Sequence, residues 1–278
     1  MNQSLHEFIA AHERLFVLTG AGVSTASGIP DYRDERGEWK QRQPMDYREF
    51  VGSHAARQRY WARSYYGWQR ISRAEPNGAH HALARLEQLG RVRHTVTQNV
   101  DGLHRRAGSR ALTELHGTLQ TVDCLDCGAS LARASMQQAL RQLNPQLVPQ
   151  SPSIAPDGDA QLGDIDESTI EVPGCPACGG MLKPAVVFFG ESVPAERVQL
   201  CRDELGESDA LLVLGSSLMV YSGFRFVREA ARMGMPVAAV NRGKTRADDL
   251  LQHKFELDCA SALEAALRLL DSRHADSA

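Results

Sequence analysis

Residues 14–33 read Arg-Leu-Phe-Val-Leu-Thr-Gly-Ala-Gly-Val-Ser-Thr-Ala-Ser-Gly-Ile-Pro-Asp-Tyr-Arg, and this stretch decides the fold. Leu15 to Leu18 form a short apolar run suited to a strand buried on both faces. The run breaks at Gly20-Ala21-Gly22, where missing side chains allow a tight turn and let a ligand approach the backbone. Ser24 to Gly28 predict a short helix whose free N–H groups and dipole would face an anion. Strand, glycine turn and helix start together make a phosphate cradle. It departs from the dinucleotide pattern G-x-G-x-x-G, because Thr25 stands where the third glycine would fall. Gly28-Ile29-Pro30-Asp31-Tyr32-Arg33 then sets an acid, a ring and an arginine just beyond the cradle, where no core requires them.

Outward from the cradle, further strand-like runs alternate with helical ones. Residues 3–12 predict an amphipathic lead-in helix, 34–53 a charged loop over the cradle, and His54 to Arg70 an aromatic helix. A helix at about 78–89 has apolar residues near a 3.6 period. Val92 to Thr97 predict a strand ending in Gln98-Asn99-Val100-Asp101, and Leu112 to Leu115 lead into His116-Gly117. A helix is expected at about 133–143, and a solvated acidic loop at 155–167 whose spacing is not that of a calcium loop. The rhythm resumes with strands at Ala185–Phe189, Ala210–Leu214 and Val237–Val240, and helices at 194–206, 223–233 and 260–271. This order predicts a doubly wound parallel α/β sheet, with ligands at the carboxyl ends of its strands.

The 278 residues suffice for one large core, or one with a smaller inserted unit. A formal net charge of -3 gives no pull towards nucleic acid or an anionic membrane, and no apolar run approaches the roughly 20 residues that span a bilayer. The first residues show neither a secretory core nor an Arg-rich transit peptide, so a cytoplasmic location is expected. Of the six cysteines, Cys124-x-x-Cys127 and Cys175-x-x-Cys178 form two pairs 47 residues apart, and Cys201 and Cys259 stand alone. Four thiolates at that spacing make a closed tetrahedral site for one structural Zn2+. Residues 124–180 are not basic, which argues against a nucleic-acid-binding ribbon.

Asn99, Asp101 and His116 are the candidate chemical cluster. A histidine titrates near neutral pH and can take a proton from a sugar hydroxyl, and Asn and Asp at a strand end can orient an amide, a water or a ribose. No G-x-S-x-G hydrolase elbow is present, and no acid follows the second strand to hold an adenine ribose for hydride transfer.

Gly20-Ala-Gly-Val-Ser-Thr-Ala-Ser-Gly-Ile-Pro-Asp-Tyr-Arg33, Thr97-Gln-Asn-Val-Asp-Gly-Leu-His104, Leu115-His-Gly117, the two cysteine pairs, Val186-Val-Phe-Phe-Gly-Glu191 and Gly215-Ser-Ser217 resemble, in order and spacing, the sirtuin (Sir2) family of NAD-dependent protein lysine deacylases. The likeness runs from about residue 10 to 270. Tyr60-Trp-Ala-Arg63, Leu143-Asn-Pro145, Ala155-Pro-Asp-Gly-Asp159 and Ser216-Ser-Leu-Met-Val-Tyr-Ser-Gly223 resemble its class II branch, which includes the mitochondrial sirtuin four of animals. The implied fold is a Rossmann-like NAD-binding domain of residues 1–120 and 184–278, with 34–90 as a helical cofactor-loop part and 121–183 as a small zinc-binding insert.

The resemblance implies that Gly20, Ala21, Gly22, Ser24 and Gly28 hold the pyrophosphate and nearby ribose of NAD. Ile29, Pro30, Asp31, Tyr32 and Arg33 would form a mobile cofactor loop, Tyr32 replacing a common Phe. Gln98, Asn99, Val100 and Asp101 would hold the nicotinamide and its ribose, and Gly215, Ser216, Ser217, Asn241, Arg242, Gly243 and Cys259 the adenosine half. His116 would be the general base, with Asn99 and Asp101 catalytic partners. An acyl-lysine peptide would lie between Phe188-Phe189-Gly190-Glu191 and Leu218-Met219-Val220-Tyr221, adding as a strand, with Val187 and Phe188 as the apolar walls of the acyl tunnel. Tyr60-x-x-Arg63 has the spacing of the pair that holds acidic acyl groups in succinyl-preferring members, displaced by about one helical turn. A mono-ADP-ribosyltransferase using the same cleft and a non-catalytic NAD sensor are the rival readings.

Overall fold

The computed structural model describes residues 3–40, 43–147, 153–162 and 166–275. Met1 and Asn2, residues 41 and 42 of the first predicted loop, and 163–165 of the acidic one lie outside the described residues. In chain order the elements open with α1 (Leu5–Ala11), β1 (Leu15–Thr19), α2 (Tyr47–Gly52), α3 (His54–Ile71) and α4 (Gly78–Gln88). They continue with β2 (Val92–Thr97), α5 (Leu103–Arg106), β3 (Leu112–Glu114), β4 (Gly117–Cys124), β5 (Ser130–Ala132) and α6 (Arg133–Leu143). They end with β6 (Leu182–Val186), α7 (Ala195–Gly206), β7 (Ala210–Leu214), α8 (Tyr221–Arg232), β8 (Val237–Val240), β9 (His253–Phe255) and α9 (Cys259–Ala275).

Six strands form a parallel sheet in the order β3-β2-β1-β7-β8-β9. Every residue of β1, β7 and β8 is buried, which is why these strands read as unbroken apolar runs. One apolar core lies on each face of the sheet. Leu15, Val17, Leu212 and Leu214 point to the face of α4 and α9, and Phe16, Leu18, Leu211 and Val213 to that of α7 and α8. The chain leaves β1 for β2 on one side and resumes with β7 on the other. The switch in strand order therefore lies between β1 and β7, and a crevice opens at their carboxyl ends.

A second, antiparallel sheet has the order β5-β4-β6. The strand expected at Ala185–Phe189 is instead β6, ending at Val186, and it pairs with β4 rather than rejoining the parallel sheet. Residues 188–191 turn out of the ladder, which is the physical reason for the correction: Glu191 N–H bonds Phe188 O at 3.0 Å, and Gly190 has φ 80°. The aromatic helix α3 packs on this sheet. Trp61, Tyr65 and Tyr66 share one core with Val122, Cys124, Met136, Leu140, Cys175 and Phe188. Arg133 is buried there, its guanidinium 5.4 Å from the Trp61 ring and 5.2 Å from that of Trp68, with Nη1 donating to Gln137 Oε1 at 2.7 Å. Burial lowers its pKa to about 10, so it stays charged at neutral pH.

Candidate active site

The glycine turn after β1 is built on the turn after β7. Gly20 N–H donates to Leu214 O at 3.0 Å and Gly22 N–H to Gly215 O at 2.9 Å. A Cβ on Gly22 would stand 2.9 Å from Gly215 Cα, so only glycine allows the two turns to meet. The helix expected at Ser24–Gly28 is two short 3-10 turns, Ala21–Val23 and Thr25–Ser27, ending at Gly28 with φ 79°. One turn of 3-10 helix has almost no macrodipole, so an anion here depends on individual N–H groups.

Two strand ends meet this turn. Ser24 Oγ donates to Asp101 Oδ2 at 2.7 Å, and Asn99 Nδ2 donates to Gly20 O and to Ser24 Oγ, both at 3.1 Å. Asp101 Oδ1 accepts Leu103 N–H at 2.9 Å. Burial is the main perturbation of Asp101 and raises its pKa, while its hydrogen bonds act the other way. Gln98 Nε2 reaches Ser216 Oγ at 2.7 Å and so joins the β2 end to the β7 turn.

His116 lies 2.9 Å from Gln98 O through Nδ1 and 2.7 Å from Ser222 Oγ through Nε2. A carbonyl oxygen only accepts, so Nδ1 carries the proton in the neutral ring, and Nε2 presents its lone pair to the Ser222 hydroxyl. Burial first, then the charges of Arg197 and Arg225, hold His116 down to about 4 despite its bond to Gln98 O, so the ring is an unprotonated base at neutral pH. The same residue starts the small sheet, with Val187 N–H donating to His116 O at 2.8 Å.

These groups line one cleft of about 760 Å³, within the range of small-molecule and cofactor sites. Gly20, Ala21, Gly22, Ser24, Ile29, Asp31, Tyr32, Arg33, Gln98, Asn99, Val100, Asp101 and His116 line it, as do residues 187–191 and 215–221, Asn241 and Arg242. Gly28, Pro30, Gly243 and Cys259 do not. Gly243 instead packs on Glu35, and Lys244 N–H donates to Glu35 O at 2.8 Å. The Cys259 thiol is buried against Val240 O, and burial pushes it up to about 12, a neutral thiol.

Trp39, Met45, Tyr60, Pro156, Asp157, Ser222 and Arg225 also line the cleft and were missed in the sequence. Trp39 joins the loops: the Arg33 guanidinium sits 4.0 Å above its ring, and the rings of Tyr32 and Phe189 both lie 5.9 Å away. Tyr60 carried a signal in its spacing from Arg63, and Pro156, Asp157 and Ser222 fell within the class II motifs without a role.

The four paired cysteines converge, with all sulfurs within 4.8 Å of one another. Cys124 and Cys178 sulfurs are 3.6 Å apart and those of Cys127 and Cys175 3.8 Å. A tetrahedron of Zn–S bonds of about 2.3 Å needs sulfurs about 3.8 Å apart, so the cluster fits a structural zinc with no open coordination position.

The chain matches the Sir2 family over residues 20–222 and belongs to that family. An NAD-dependent protein deacetylase 2 of Bradyrhizobium diazoefficiens is 56% identical over 94% of this chain and 96% of its own. The mitochondrial NAD-dependent protein lipoamidase sirtuin-4 of Bos taurus is 46% identical over 94% of this chain and 84% of its own. Among solved structures, a Sir2–p53 peptide–NAD+ complex is similar with a TM-score of 0.76, 28% identity and 96% of each chain covered. No helix among the described residues is long and apolar enough to cross a membrane.

Proposed function

We propose that the chain is an NAD-dependent protein lysine deacylase of cytoplasmic location, which transfers an acyl group from lysine to ADP-ribose and releases nicotinamide. The observation that carries this reading is the His116 geometry: a neutral imidazole whose unprotonated Nε2 meets only the Ser222 hydroxyl, in the cleft that the Asn99–Ser24–Asp101 cluster also lines. The NAD glycosidic carbon supplies the electrophile. Asn99, Asp101 and Ser24, already bonded to one another, hold the nicotinamide ribose without reorganising. His116 takes a proton from the ribose diol through Nε2 while Gln98 O steadies the positive charge that forms on the ring. Phe188 and Val187 wall the acyl chain off from water. The edges at 187–191 and 218–221 offer backbone to an extended peptide, so recognition tolerates many sequences.

The test is mass spectrometry of the purified protein with NAD and one peptide bearing acetyl-, butyryl-, glutaryl- or lipoyl-lysine in turn. Free lysine together with O-acyl-ADP-ribose is expected. ADP-ribose retained on protein, with no lysine released, would assign mono-ADP-ribosyl transfer instead. His116→Ala is expected to lower deacylation by about 10²–10⁴-fold while NAD still binds. Loss of NAD binding in that variant would refute the role given to the ring.

A further inference from the structure

Residues 153–161 fold into a hairpin that none of the catalytic steps above uses. Ile154 and Ala160 form an antiparallel bridge, Gln161 N–H donates to Ser153 O at 2.9 Å, and Ala155 N–H to Asp159 O at 2.8 Å. The tip rests on α3 so closely that a Cβ on Gly67 would fall 1.7 Å from Gly158 O. Arg63, on the same helix, fastens the hairpin from the side, with Nη1 3.5 Å from Asp159 Oδ2 and Nε 2.6 Å from Glu167 Oε1. The arginine whose spacing suggested an acyl-carboxylate ligand is therefore a strut between two acids.

What the hairpin delivers to the cleft is Pro156 and Asp157. Asp157 Oδ1 accepts Asp159 N–H at 3.1 Å, and among the described residues no side chain donates to the Asp157 carboxylate or forms an ion pair with it. Its neighbours are phenols: burial first, and then the charge of Asp157, raises the pKa of both Tyr32 and Tyr60. Tyr60 in turn packs against the acyl wall, 5.2 Å from the Phe188 ring. Lys183, the cation nearest that wall, is bound to Glu191 Oε2 at 3.2 Å and to Val186 O at 2.6 Å. Beside the proposed acyl wall the cleft thus offers a carboxylate, while the nearby Lys183 is already engaged.

We infer that Asp157 is a specificity-determining residue, selecting acyl groups that carry a hydrogen-bond donor, such as a hydroxyl, over acyl groups of the same length without one. The inference rests on the deacylase reading. Burial raises Asp157 to about 6, so near pH 8 the carboxylate is ionised and acts only as an acceptor. A hydroxyl donating to it replaces water with a charge-assisted bond, whereas a methylene strands the oxygen.

The experiment compares kcat/KM for one peptide carrying 3-hydroxybutyryl-lysine, butyryl-lysine or glutaryl-lysine, near pH 8. The hydroxyl is expected to raise kcat/KM on the order of tenfold over butyryl, the size of one charge-assisted bond. In Asp157→Leu, which removes the acceptor, that ratio is expected to fall to about one, and in Asp157→Asn, which keeps a neutral acceptor of nearly the same shape, to fall severalfold. Because each ratio is taken within one protein, a general loss of activity does not affect it. A ratio unchanged in both variants, or glutaryl-lysine preferred over the hydroxyacyl peptide by the unaltered protein, overturns the inference. Absence of free lysine from every peptide, an acetyl control included, overturns the deacylase reading itself.

Discussion

Replacing His80 with glutamine should make the protein markedly less sensitive to acid. His80 is the third residue of α4, fully buried, and its Nδ1 accepts Asn77 N–H at 3.3 Å while its Nε2 has no partner. Its ring lies 4.7 Å from that of His104, a second buried histidine. Burial, and then the neighbouring His81, lower His80 from 6.5 to about 4. Above the unfolded value neither state binds the proton and the ring has no effect. As pH falls through 6.5 the unfolded chain gains a proton that the folded chain refuses, so stability is lost down to about pH 4. The loss from His80 alone is about 2 kcal/mol at pH 5 and saturates at about 3 kcal/mol.

Glutamine suits the same capping position and reaches back to the same N–H, so stability at pH 7.5 should change by less than about 1 kcal/mol. Urea unfolding of both proteins near pH 7.5 and pH 5 measures the difference. The variant should retain about 2 kcal/mol of what the parent loses, plus any relief to His104, whose pKa is lowered by burial first and then by His80. Equal acid losses in the two proteins would refute the reasoning. The effect should extend to function, because Asn77, bonded to His80, also donates to Val23 O and Ser27 Oγ at 2.9 Å behind the glycine cradle.

Three further outcomes follow from the geometry. Gly22→Ala should cost about 1–3 kcal/mol and weaken NAD binding, because its Cβ meets Gly215 backbone, whereas Gly52→Ala, with open space around it, should do neither; calorimetry with NAD reads both. Lys183→Met should raise the peptide KM by roughly tenfold while NAD affinity holds, since Lys183 binds Glu191, whose Oε2 accepts Phe188 N–H at 2.8 Å; an equal loss in NAD affinity would count against that division. Chelation should release one zinc per chain and, because Cys124 and Cys175 belong to the aromatic core, disturb the near-ultraviolet signal of α3, from a site worth about 10–16 kcal/mol.

The parallel sheet was legible because strands covered on both faces must be apolar throughout, as Leu15–Leu18 and Ala210–Leu214 are. The small sheet was harder to read. In β4 buried residues such as Leu119 and Val122 are interspersed with partly exposed and polar ones, so Gly117–Cys124 presents no apolar run. Val186 to Phe189 does present one, but its apolar character comes from lining the cleft and packing on α3, not from a place in the parallel sheet. Asn99, Asp101 and His116 stood out as polar groups at strand ends. Ser222 and Asp157 had no such mark. Each reaches the cleft from a segment distant in sequence, through contacts that only the folded chain makes.

His116 and Val187 face each other one step beyond the end of the β4–β6 ladder: Gly117 pairs with Val186, and the His116 carbonyl receives the next N–H. Gly117, with φ 80° and a missing Cβ that would fall 2.0 Å from Ala185 O, lets the two strands close at that point. The proposed proton acceptor and the proposed acyl wall are therefore joined through one antiparallel sheet, whose other end carries the four cysteines. If that sheet tilts against the parallel sheet as a peptide enters, Val187 and the His116 backbone move together, while Gln98 O and Ser222 Oγ tie the ring to the other side. Variation in substrate preference can then accumulate on the surrounding loops and helix without moving Val187 relative to the His116 backbone.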